Sequence, residues 1–151
     1  MNTTEKEMAA IAEEIGTNKA STGKPSDMGG LPHELGSTGY GVVESTDVAV
    51  EFLGWDMNEM KVAIECFGNV GTFSSKFMSE KGAKIVAVSD SKGTIDNPEG
   101  MDVEKLIQTK AETGAVKNYG DGEVLEPEKL FELPVDILIP GARPNVITDE
   151  N

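Results

Sequence analysis

One hexapeptide narrows the folds open to this chain more than any other feature: Cys66-Phe67-Gly68-Asn69-Val70-Gly71. It closes a short apolar run, Lys61 to Phe67, which reads as a buried strand. It opens a stretch of helical period, from about Val70 to Lys81, with Phe73 and Phe77 on the face of Val70. A strand that turns on glycines directly into a helix offers backbone N–H groups and the positive end of the helix dipole to a pyrophosphate. Gly68 keeps side-chain atoms away from the phosphates, and Gly71 lets the helix pack closely on the strands. A second apolar run, Lys84 to Ser89, ends on Asp90, about 20 residues beyond the turn. A carboxylate at that distance is placed to accept hydrogen bonds from a ribose. Its other reading is a cap on the turn after the strand.

The rest of the chain extends this pattern. Residues 4–15 predict a helix: Thr4 and Glu7 form a capping box, Met8, Ile11, Ala12 and Ile15 share a face, and Gly16 stops it. Residues 16–36 read as a loop rich in Gly, Ser, Thr and Pro. A second helix is expected over about 37–53, with Val42, Thr46, Ala49 and Leu53 along one face. Gly39 and Gly41 are costly in a helix and imply close packing there. Residues 91–101 read as a loop. Asp102 caps a helix to about Thr113, Gly120-Asp121-Gly122 is a turn, and Pro127 opens a short helix ending near Leu133. Val135 to Ile139 is a third strand, stopped by Pro140.

Strands alternating with helices imply an α/β fold with right-handed crossovers. The expectation is a Rossmann-type three-layer parallel sheet, incomplete, holding the first mononucleotide half plus N-terminal helices. Two domains follow: 1–36, an N-terminal helix and hinge-like loop, and 37–151, a partial dinucleotide-binding domain. In the usual strand order the first strand is flanked by a fourth. With only three strands read here, Lys61 to Phe67 is expected as an exposed apolar edge that recruits another chain.

Composition removes several alternatives. There are 27 acidic against 13 basic residues, a net charge of −14. That excludes the basic face a nucleic-acid partner wants and the polybasic segment of a membrane-surface binder. One cysteine, Cys66, and one histidine, His33, leave neither a disulfide framework nor a multi-cysteine zinc site, so no metal is expected. A thiol at Cys66 reads as a small buried hydrophobe, and His33 as a surface or capping residue. No secretory signal or membrane span is read, and a cytoplasmic setting is expected. No catalytic residue is assigned.

Six segments occur in one order: Thr22-Gly23-Lys24-Pro25, Gly29-Gly30, Ser37 to Val42, the Gly68 to Gly71 turn, Ala87 to Gly93, and Asn145 to Thr148. Together they resemble the cofactor-binding domain of the glutamate dehydrogenase family, the Glu/Leu/Phe/Val dehydrogenases. The resemblance implies oxidative deamination of an amino acid to a 2-oxo acid, with NAD(P) as hydride acceptor. It also implies that Gly68, Asn69, Val70 and Gly71 hold the cofactor backbone and that Asp90 and Ser91 sit at the adenosine ribose. Thr38 and Asn69 resemble nicotinamide-side contacts, and Ala142 and Asn145 the segment beside the nicotinamide ribose. Three departures stand out: Cys66 replaces a glycine, Leu31 to Glu34 departs from the commoner Gly-Gly-Ser-x-Gly-Arg form, and Gly141 replaces an alanine. The family's catalytic lysines and aspartate precede the segments matched here, so the isolated chain is expected to be inactive.

Asp90 repels a 2′-phosphate and points to NAD, whereas Ser91 and Lys92 could hold such a phosphate, so NADP stays possible. The expected partners are NAD(P) and further copies of the chain. The alternative function is a non-catalytic nucleotide-binding or assembly module, motivated by Cys66 and the exposed edge. A methyltransferase also uses a glycine turn and a ribose carboxylate, but nothing in its chemistry requires the Thr22 to Val42 segments.

Overall fold

The computed structural model describes residues 3–31, 36–149 and 151. His33 lies outside them, as does most of the Leu31 to Glu34 loop. The chain divides into two compact units, Met1–Ser37 and Thr38–Asn151.

In the first unit, helix α1 (Glu5–Ile15) starts on the expected capping box: the Thr4 N–H donates to the Glu7 carboxylate at 2.5 Å, and the Thr4 hydroxyl accepts from Lys6 N–H at 3.3 Å. Gly16 ends the helix in the left-handed region, with φ +76°. The chain then folds back. Ser21 Oγ donates to the Met8 carbonyl at 2.9 Å, and a 3₁₀ turn over Ser26–Met28 follows Pro25.

In the second unit, strand β1 (Lys61–Glu65) is an interior strand of a five-stranded sheet. On one side it pairs in parallel with β2 (Lys84–Asp90). Beyond β2 lie β3 (Gly93–Asp96) and β4 (Glu123–Leu125), both joined antiparallel. On the other side of β1, strand β5 (Ile137–Pro140) pairs in parallel, giving the order β4-β3-β2-β1-β5. The fold is α/β of Rossmann type, with a mixed sheet. Two strands were not read from the sequence: the loop expected over 91–101 contains β3, and β4 follows the Gly120-Asp121-Gly122 turn. This antiparallel pair, its strands joined through a helix over residues 103–113, takes the place beyond β2 that a third parallel strand would fill. The expected exposed edge at Lys61 to Phe67 is overturned, because β5 covers it and the free parallel edge passes to β5.

The two faces of the sheet differ. On one, Val62 and Ile64 of β1, Ile85 and Val88 of β2, Ile95 of β3 and Ile139 of β5 pack under three helices. Helix α2 (Ser37–Phe52) contributes Val43 and Val50, α3 (Asn69–Glu80) contributes Met78, and α4 (Val103–Thr113) contributes Leu106. Each such side chain, fully buried, stabilises by about 1.5–3 kcal/mol. On the other face Ala63 and Ala87 stand in register, covered by Leu130 of a 3₁₀ segment over Pro127–Glu132. Small residues there let that short segment lie close to the strands.

Helix α2 buries Gly39, Val43 and Val50, whereas Ala49 and Leu53 of the expected face are exposed. Gly39 sets this rotation. A Cβ there would stand 2.8 Å from the Phe73 Cβ and 3.0 Å from the Val70 carbonyl, so α2 meets α3 backbone to backbone. Gly41 has no neighbour within 4 Å of such a Cβ and supports no close contact.

Candidate functional site

At the carboxyl end of β1 the chain turns within three residues into α3. The turn is tight enough to put Cys66 in the left-handed region, at φ +71°. A side chain there costs on the order of 1 kcal/mol relative to an ordinary conformation. The first glycine of the fingerprint would avoid this strain. One bond to β2 and one within the turn hold it in place: Phe67 N–H donates to the Ser89 carbonyl at 2.7 Å, and Gly68 N–H to the Cys66 carbonyl at 2.8 Å. Cys66 is half-buried rather than buried, and its thiol faces a cavity.

Gly71, on the first turn of α3, is required by sterics. A Cβ there would lie 2.0 Å from the Cys66 carbonyl oxygen and 3.3 Å from Ile64. Gly68 is different. A Cβ on it would meet only Cys66 Sγ, at 3.5 Å, so the protein leaves the space above it unfilled. Gly68 is also the N-cap of α3, and no side chain caps the helix. This is the cradle that a phosphate group would occupy.

The opposite wall is the end of β2. Asp90 has a side chain only 6% exposed, held from three directions. Its Oδ1 accepts from Lys92 N–H at 2.7 Å, and its Oδ2 accepts from Val116 N–H at 2.9 Å and from the Lys110 ammonium. Burial would push the Asp90 carboxyl up. The Lys110 ammonium, the Val116 N–H and the Lys92 N–H together outweigh burial and hold it below the usual aspartate value. Asp90 therefore carries both the turn-capping role and the position facing the glycine turn. Each carboxylate oxygen has two lone pairs, and Oδ1 keeps capacity for a further donor.

A third wall is the segment after β5. Ala142 N–H donates to Glu65 Oε2 at 3.1 Å, and a Cβ on Gly141 would approach the Glu65 carbonyl to 2.9 Å. Residues 141–143 thus pass directly over the end of β1, and the glycine at 141 permits it.

These walls enclose a cavity of about 550 Å³ that brings together Gly68, Asp90, Ser91 and Ala142 from the expected site. Asn69, Val70 and Gly71 follow Gly68 as the first turn of α3. Asn145, at φ +60°, lines a neighbouring smaller depression with Arg143. Thr38 stands exposed near the start of α2 and lines neither. Sequence reasoning missed Lys110, Glu65, Arg143 and Phe131 in the cavity wall. Lys110 reaches Asp90 only because α4 folds back beside β2, and no local spacing signals that. Among the described residues no group of three or more His, Cys, Asp or Glu could hold a metal ion, and no helix is long and apolar enough to cross a membrane.

Comparison with known proteins gives a consistent picture. The profile of the Glutamate/Leucine/Phenylalanine/Valine dehydrogenase family matches residues 29–151. A glutamate dehydrogenase of Aeropyrum pernix is 53% identical over 131 residues, 86% of this chain and 31% of that protein. An NADP-specific glutamate dehydrogenase of Saccharolobus shibatae is 44% identical over the same length. In structure, a hetero-hexameric glutamate dehydrogenase from Thermus thermophilus superposes with a TM-score of 0.81 at 24% identity, which is a likeness of fold, over 99% of this chain and 36% of that one. The chain spans about a third of the length of these relatives.

Proposed function

The chain belongs to the Glutamate/Leucine/Phenylalanine/Valine dehydrogenase family, and we propose that it forms the cofactor-binding portion of an amino-acid dehydrogenase acting on glutamate. The observation that supports this most is the cavity in which an unfilled glycine turn faces a buried carboxylate across the ends of two parallel strands. That is the crevice where nucleotides bind in open α/β sheets. Gly68 and the first turn of α3 receive the pyrophosphate, Asp90 and Ser91 the adenosine ribose, and Ala142 and Asn145 the nicotinamide ribose. Thr38 and Asn69 serve the nicotinamide side. Bound there, NAD(P) would supply a hydride acceptor for oxidation of the amino acid. The residues of this chain would bind and orient it.

Lys110 bears on the choice of cofactor. An isolated Asp90 would repel a 2′-phosphate. Paired with an ammonium, it does so far less, so the reading covers both NAD and NADP. The name of the Saccharolobus relative agrees with an NADP-using member of the family.

Calorimetric titration of the chain with NAD and with NADP tests the proposal. Binding of either that Asp90→Ala weakens is expected. No heat with either cofactor overturns it. The chain alone is also expected not to reduce NAD in the presence of glutamate, and measurable turnover would refute that part. A second reading, a non-catalytic nucleotide-binding or assembly module, draws on the Cys66 side chain in the cradle. Stable oligomers without cofactor binding would favour it. Self-association is proposed in both readings, with large apolar side chains such as Phe52, 88% exposed, as its support.

A further inference from the structure

The cavity carries a cation with no assigned role. Arg143 is the single arginine of a chain with net charge −14. It lines the cavity together with Gly68, Cys66 and Glu65, and it also lines the depression beside it with Asn145. Its position is built. The Ala142 N–H bond to Glu65 Oε2 and the close approach of Gly141 to the Glu65 carbonyl pin the residue before it against the end of β1, next to the turn. Among the described residues Arg143 makes no ion pair, whereas the other cation of the cavity, Lys110, is committed to Asp90.

The electrostatics of the cavity need such a group. Its lining carries three carboxylates, on Glu65, Asp90 and Glu128, against two cations, on Lys110 and Arg143. Lys110 offsets Asp90, which leaves Glu65 and Glu128 facing an incoming anion. Cys66 adds a neutral side chain where the fingerprint has none, narrowing the backbone cradle. A guanidinium at the mouth suits a pyrophosphate, because its planar fork bonds two phosphate oxygens at once.

We propose that Arg143 is a binding residue that clamps the pyrophosphate of the cofactor beside the Gly68 turn. The proposal rests on the cofactor reading above. It separates two cationic roles in one cavity: Arg143 acts on the diphosphate common to NAD and NADP, and Lys110 acts at the ribose end.

The test is calorimetric titration of the full chain and its Arg143→Gln and Arg143→Lys variants with NAD, ADP and adenosine. Circular dichroism of each variant checks that it is folded; the side chain is exposed, so no loss of fold is expected. Arg143→Gln is expected to weaken NAD and ADP about tenfold, as the loss of one charge-assisted contact does, and adenosine less than about twofold. Arg143→Lys should keep part of the affinity, and the salt dependence of NAD binding should fall in Arg143→Gln. Equal weakening of adenosine and ADP overturns the proposal, because the arginine would then be shaping the cavity rather than holding phosphate. Wild-type binding of NAD that is unchanged in Arg143→Gln overturns it alone. A wild-type chain that binds none of the three overturns the cofactor reading, and this inference with it.

Discussion

The glycine turn after β1 and the carboxylate at the end of β2 face each other across one cavity, yet they are held by different forces. The turn is a matter of space. Gly71 is there because the Cys66 carbonyl leaves no room for a Cβ, and the bonds that fix the turn are backbone bonds to β2 and within the turn itself. The carboxylate is a matter of charge. Asp90 is nearly enclosed, and two N–H groups and one ammonium keep it ionised. A wall built from sterics ignores salt and pH. A wall built from an ion pair responds to both.

Three substitutions probe that contrast. Gly71→Ala should have the largest effect, a loss of about 3 kcal/mol, because helix and strand must separate to admit the methyl group. Urea unfolding should show a lower midpoint that does not change with added salt. A loss under about 1 kcal/mol would mean that α3 can slide on the sheet, and the steric account of this wall would fail.

Lys110→Met comes next. It removes the ammonium from a buried carboxylate while keeping an apolar stem, and about 2 kcal/mol should be lost near neutral pH. The sign of the pH dependence follows from Asp90. Its folded value is depressed, so its contribution is complete above the ordinary carboxylate range and is lost as pH falls through the folded value. Without Lys110 that folded value rises toward the unfolded one, so the acid limb of the stability curve shrinks and the variant loses less stability on acidification than the wild-type chain. Urea melts from about pH 3 to 7 should resolve the difference. An acid limb of unchanged size would assign the depression to the Val116 and Lys92 N–H groups alone.

Cys66→Gly has the smallest expected effect and the opposite direction. Relief of the left-handed conformation outweighs the entropy glycine adds to the unfolded chain, for a gain of about 0.5 kcal/mol in the melting experiment. The same change also clears the thiol from the cradle, so NAD should bind more tightly. A net loss of stability would show that the packing of the Cys66 side chain matters more than its backbone strain.

Much of this architecture could be read in advance, and the reasons are local. The strand-turn-helix unit from Lys61 to Glu80 announces itself by a change of period and by two glycines. The caps at Thr4 and Asp102 lie within three residues of the N–H groups they satisfy. The antiparallel strands β3 and β4 gave no such signal. Thr94 and Ile95 are too few for an alternation to show, and β4 is largely exposed. The partner of β5 was invisible for another reason: an apolar run of four residues fits the outer edge of β1 or of β2, and β3, by pairing with β2, decides which edge is free. In the site, Gly68, Gly71 and Asp90 follow from spacing along the chain. Lys110 and Arg143 do not, since each enters the cavity from an element that returns to it across the sheet.

The pairing of β5 with β1 also has a consequence for how the chain acquires its shape. Lys61 N–H donates to Asp136 Oδ2 at 2.8 Å across a separation of 75 residues. Strand β1 is therefore completed by a segment that leaves the ribosome 75 residues after it. Contacts so distant in sequence are slow to form, because a long loop must close before any pairing rewards it. During that interval Val62, Ala63 and Ile64 have an open flank, and a nascent chain held there would be prone to pair with a neighbour.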